Sequence, residues 1–178
     1  NYKFFSQLED SKDLPIKIIR IDGGDRPNIV PDYCEASIEV NPEIMEQVYD
    51  YLKKVTDGPD LQMDILQEEN TLVLKSYGKP AHGSTPEKGV NAISKLIVTL
   101  HSCMKEFDSN HPFIDFYVNC IGTETDGKAM GCSLEDDISG KLTFNVGLIS
   151  FKPLHAEIIT NIRYPVTFKE KDIYEKIN

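Results

Sequence analysis

The sequence predicts an α+β fold: a ferredoxin-like βαββαβ antiparallel sheet with its helices on one face, followed by a second, incomplete half of the same kind. Three observations carry this. Residues 33–107 read strand, helix, strand, strand, helix, which is most of a split βαβ unit. The segment 33-YCEASIEV-40 alternates, with Cys34, Ala36, Ile38 and Val40 on one face. The segment after Pro86 repeats apolar residues at helical spacing over Val90, Ile93, Ile97, Leu100, Met104 and Phe107. One sheet with amphipathic helices on a single face satisfies both periodicities. The first half is expected over 14–110 and the truncated second half over 111–178.

Taken in order, residues 1–13 are mixed and polar and read as a fraying lead-in. A short strand, 15-PIKIIRIDGG-24, ends in a glycine pair, and the prolines of 25-DRPNIVPD-32 rule out a helix. After the alternating strand, 42-PEIMEQVYDYLKKV-55 is a helix, with Asn41 as its cap and Pro42 in its first turn. Its apolar positions are Ile44, Met45, Val48, Leu52 and Val55. Two strands, 60-DLQMDILQ-67 and 71-TLVLKSY-77, are joined at Glu69-Asn70 as a hairpin. Ser84 or Thr85 is the expected cap of the following long helix, with Pro86 just inside it.

The second half is looser. Residues 112-PFIDFYVNCIG-122 fit a helix or a strand, and 140-GKLTFNVGLISFK-152 is a strand pattern broken by Gly147. Residues 154-LHAEIITNIRYPV-166 place Leu154, Ala156, Ile158, Thr160 and Ile162 on one strand face. A helix starts at 169-KEKDIYEKIN-178. That unfinished helix, together with the absence of an initiator Met, is expected of a piece of a longer chain.

Composition narrows the function. With 178 residues, 40% apolar and 27% charged, the chain has the makeup of a globular domain. Its net charge of −10 argues against nucleic acid as a partner. No apolar run is long enough to span a bilayer, so no membrane partner is expected. Cys34, Cys103, Cys120 and Cys132 are scattered, form no C-x-x-C, and follow no secretion signal. They read as reduced, part-buried small hydrophobes in a cytoplasmic protein.

Few residues fall in patterns that carry chemistry. Gly78 and Gly83 have the spacing of a phosphate loop, but Ser84 stands where its lysine belongs and Pro80 removes an amide donor. The histidines His82, His101, His111 and His155 make no metal-binding pair, so no metal site is expected within this chain. No nucleophile elbow occurs, and Glu135-Asp136-Asp137 reads as a solvated turn. His82 remains, between glycines and ahead of a helix. It is either a surface histidine without a task or a donor to an anionic group.

The stretch 81-AHGSTPEKGVNA-92 resembles the A-H-G-S-x-P-x-x-G-x-N-A segment of the co-catalytic dizinc metallopeptidases, the aminoacylase–carboxypeptidase family, in its Xaa-His dipeptidase or carnosinase-like branch. Three further stretches are similar to that branch: 22-DGGDRPNIVPDYCEA-36, 135-EDDISGKLTFNVG-147 and 161-NIRYPV-166. The resemblance implies a lid domain, whose partners are a catalytic domain of the same parent chain and a short peptide substrate. It implies two zinc ions held by that other domain, since the family's ligand motifs are absent here. It also implies that this chain alone is inactive. By motif, His82 matches the lid histidine that stabilises the oxyanion, while Asn28 and Arg163 match residues that hold the substrate's C-terminal carboxylate. The alternatives are a non-catalytic ferredoxin-like regulatory or dimerisation module, or the lid of a related deacylase or carboxypeptidase.

Overall fold

The computed structural model describes residues 2–7, 14–58 and 61–177. Strands β1 (Tyr2–Gln7), β2 (Ile16–Gly23), β3 (Tyr33–Val40), β4 (Met63–Glu68), β5 (Thr71–Tyr77), β8 (Thr143–Lys152) and β9 (His155–Arg163) form one seven-stranded sheet. Its order is β1-β9-β8-β2-β3-β5-β4, and every neighbouring pair is antiparallel. A small separate pair joins β6 (Glu135–Asp136) to β7 (Gly140–Lys141). The helices are α1 (Met45–Thr56), α2 (Ala92–Glu106), α3 (Pro112–Cys120) and α4 (Glu170–Ile177). Because β5 separates β3 from β4, the β3–α1–β4 crossover is the split βαβ expected from the sequence.

The predicted faces are mostly the buried ones; Val90 is exposed, and Leu154, read on the last strand face, is exposed in the turn before β9 at φ +71°. Cys34, Ala36, Ile38 and Val40 of β3 and Leu72 and Leu74 of β5 are buried under α2, whose Ile93, Leu96, Ile97, Leu100 and Met104 face the sheet. Burial of each such aliphatic side chain contributes about 1.5–3 kcal/mol. Helix α1 packs against α2 and β4 and buries Met45, Val48 and Leu52. The segment that fits either period in the sequence is helical. In it, fully buried Tyr117 of α3 meets Ser94 of α2, hydroxyl to hydroxyl, at 2.8 Å. Of the four cysteines, all free, Cys34, Cys103 and Cys132 are buried and Cys120 is partly so. Burial pushes the Cys103 thiol up to about 12, so it is inert at neutral pH.

Two bulges keep the long strands in phase with the core. In β8 the register shifts between Val146 and Leu148, leaving Gly147 as the extra residue. Simple alternation from Phe144 and Val146 would bury Leu148 and Ser150; the extra residue buries Ile149 and Phe151 instead. In β2 a shift between Ile18 and Arg20 similarly brings Ile16, Ile18 and Ile21 to one side.

Three local readings change. Residues Tyr2–Gln7, read as part of a fraying lead-in, form an edge strand against β9; the rest of that lead-in (1 and 8–13) lies outside the described residues. The expected strand start at Asp60 also lies outside them, and β4 begins at Met63. The long helix is capped not by Ser84 or Thr85 but by Asn91, whose Oδ1 accepts from the N–H groups of Ile93 and Ser94. Pro86–Lys88 is a single 3-10 turn, and Val90, half-exposed, pairs its backbone with Lys79.

Candidate functional site

The three residues singled out by motif come from distant parts of the chain. Asn28 lies in the loop between β2 and β3, His82 in the loop after β5, and Arg163 at the end of β9; all three are exposed. The fold brings the loops together. Ile29 and His82 form an isolated antiparallel bridge, and the Gly83 N–H donates to the Asn28 carbonyl at 2.7 Å. The Val30 N–H donates to the Ala81 carbonyl at 2.8 Å, extending the contact.

Strands β8 and β9 carry a polar patch beneath these loops. Thr143 pairs directly with Arg163, and Asn145 with Asn161. Thr143 Oγ1 donates to the Gly83 carbonyl at 3.3 Å, and Asn145 Nδ2 donates to the carbonyls of Pro27 and Ile29 at 2.9 Å each. Arg163 Nε donates to Asn161 Oδ1 at 3.3 Å. That same oxygen would lie 3.1 Å from a Cβ built on Gly83, beside His82. The His82 loop is thus in contact with both the Asn28 backbone and the side chain that Arg163 touches.

The side-chain chemistry is open toward solvent. His82 Nδ1 accepts the Ser84 backbone N–H at 3.2 Å and lies 2.7 Å from Ser84 Oγ. An Nδ1 that accepts has no proton of its own, so the hydrogen-bond geometry assigns the ring proton to Nε2, which is left as a donor. Among the described residues Arg163 has no carboxylate partner, and its terminal nitrogens keep the planar fork that suits a carboxylate. A cleft of about 310 Å³ lies alongside, lined by Val30, Pro86, Val90, Asn91, Phe144 and Asn145 among others, but not by His82, Asn28 or Arg163.

Two of the other histidines have structural partners. His101 lies on the flank of α2 and pairs with Asp115 at 3.2 Å. His111 caps α3 by accepting the Phe113 N–H and stacks edge-on against Phe151. Asp136, read as part of a solvated turn, accepts from Ser139 and from both the backbone and hydroxyl of Thr167. Those bonds hold its carboxyl well below the usual range and tie the β6–β7 turn to the segment just past Arg163.

Sequence reasoning missed Thr143, Asn145 and Asn161. The available signal was their spacing: Thr143 and Asn145, like Asn161 and Arg163, stand two apart in strands and so share a face.

An antiparallel sheet carrying packed helices, with the β2–β3 loop and the loop after β5 bridged to each other above the β8–β9 pair, is an α+β architecture. The chain belongs to the peptidase dimerisation domain family, whose model matches residues 2–58 and 70–178. It is 34% identical to "Putative dipeptidase YtjP" of Bacillus subtilis over 159 residues, covering 88% of this chain and 33% of that protein. It is 31% identical over 169 residues to a "Putative dipeptidase" of Staphylococcus epidermidis, covering 94% of this chain and 36% of that protein. The chain therefore spans about a third of the length of the curated relatives it matches.

Proposed function

We propose that this chain is the substrate-binding lid of a cytoplasmic, zinc-dependent dipeptidase that hydrolyses short peptides. His82 donates from Nε2 to the oxyanion that develops on the scissile carbonyl. Asn28 and Arg163 hold the C-terminal carboxylate of the substrate, Arg163 by a two-pronged contact and Asn28 by its neutral amide. A longer peptide places no charge at Arg163, which accounts for a preference for short substrates.

The observation that carries this reading is the joining of the Asn28 and His82 loops over the strand pair that ends at Arg163. The names of the relatives support a peptidase parent. Among the described residues no group of three or more His, Cys, Asp or Glu could hold a metal, so these residues do not fit a zinc centre. In this reading the two zinc ions belong to a catalytic domain elsewhere in the parent chain, and this chain alone hydrolyses nothing. What it supplies is binding and electrostatics. The reading also divides the lid into one half over 14–110 and a second half over 111–178.

The test is His82→Ala in the full-length protein. Removing an oxyanion donor should lower kcat by about 10²–10³ with KM nearly unchanged. An unchanged kcat with a raised KM would move His82 from the reaction to ground-state binding.

A further inference from the structure

We propose that Asn145 is a positioning residue that locks the Asn28 and His82 loops onto the strand pair ending at Arg163; this rests on the functional reading above. Asn145 lies in β8 and is only 2% exposed. Its Nδ2 donates to the carbonyls of Pro27 and Ile29, the two residues that flank Asn28. The amide therefore fixes the backbone on both sides of Asn28. Ile29 bridges His82, and the Asn28 carbonyl takes the Gly83 N–H. One buried side chain thus sets the place of both loops. Its cross-strand partner, Asn161, accepts from Arg163.

The residue type follows from the geometry. Two carbonyls at 2.9 Å need two hydrogens on one nitrogen, which a primary amide has and a hydroxyl lacks. A carboxylate there would face two carbonyl oxygens. Asn145 Oδ1 is buried and finds no protein partner among the described residues. A buried acceptor left unpaired opposes stability, so packing alone would favour an aliphatic residue in this strand. What the asparagine gives in return is the grip on the 27–29 backbone.

The test is a mutant cycle in the full-length protein. N145S should lower kcat/KM on a free-acid dipeptide by roughly 10–100-fold, the penalty for a site displaced by about an ångström. In a background already carrying His82→Ala and Asn28→Ala the same change should have little further effect, because the groups it positions are gone. Amide exchange should quicken in peptides covering 26–30 and 79–85 while β8 and β9 stay protected. N145T, which suits a strand and keeps one hydroxyl donor, runs the same cycle if N145S does not fold. Equal losses in both backgrounds, or unchanged exchange in the two loops, would make Asn145 purely structural and overturn the proposal. Loss of folding in both variants would overturn it too. If His82→Ala and Asn28→Ala themselves change nothing, the functional reading falls and this inference falls with it. If they impair the enzyme and the cycle is additive, only the inference falls.

Discussion

Gly147 lies against Pro27 so closely that a Cβ built on the glycine would sit 2.4 Å from the Pro27 Cα and 2.4 Å from its carbonyl oxygen. The strand break seen in the sequence at Gly147 is therefore a seat for the loop that carries Asn28, and the bulge there lets the loop approach. Gly147→Ala should lower the unfolding free energy by about 1–3 kcal/mol, the range for forcing atoms into a packed site. Urea unfolding measures it; an unchanged midpoint would mean that the loop moves aside freely.

His111 should make stability fall in mild acid. Burial lowers its pKa, a shift only partly offset by Asp115, and its Nδ1 is occupied as the acceptor that caps α3. A histidine whose folded pKa lies below its unfolded value contributes stability that is full at higher pH. That stability is lost as pH falls below about 6.5 and the unfolded state takes up the proton first. His111→Asn keeps a cap acceptor without the titration. Its thermal midpoint should change less between neutral pH and mild acid than that of the wild type; equal slopes would place the pH dependence elsewhere.

A chelator should leave the thermal midpoint of this chain where it is, because among the described residues no cluster of three metal-ligating side chains exists. A large drop in differential scanning fluorimetry with added chelator would reveal a structural metal.

Much of the fold was legible because its core is patterned locally. Alternation in Tyr33–Val40 and the three-and-four spacing of α2 report burial directly: the strand face is buried as read, and the helical stripe is buried from Ile93 to Met104, with Phe107 partly buried and Val90, ahead of the helix, exposed. The misreadings have non-local causes. Ser84, Thr85 and Pro86 carry the chemistry of a helix start, but the backbone pairing of Val90 with Lys79 keeps the chain extended until Asn91. Strand β1 depends on an edge of β9 supplied from the other end of the sequence. The site divides the same way. His82, Asn28 and Arg163 were reached through motifs, whereas the ladder of Thr143, Asn145 and Asn161 beneath them required the β8–β9 register.

The most direct measurement compares wild-type and Arg163→Ala full-length protein, each on a free-acid dipeptide and on the same dipeptide amidated at its C-terminus. If Arg163 grips the carboxylate, the substitution is severe on the free acid and mild on the amide, because either change removes the same contact. Arg163→Lys should rescue only in part, since an ammonium lacks the planar fork. A loss of the same factor on both substrates would contradict the account and leave Arg163 as a residue that merely holds the end of β9 in place.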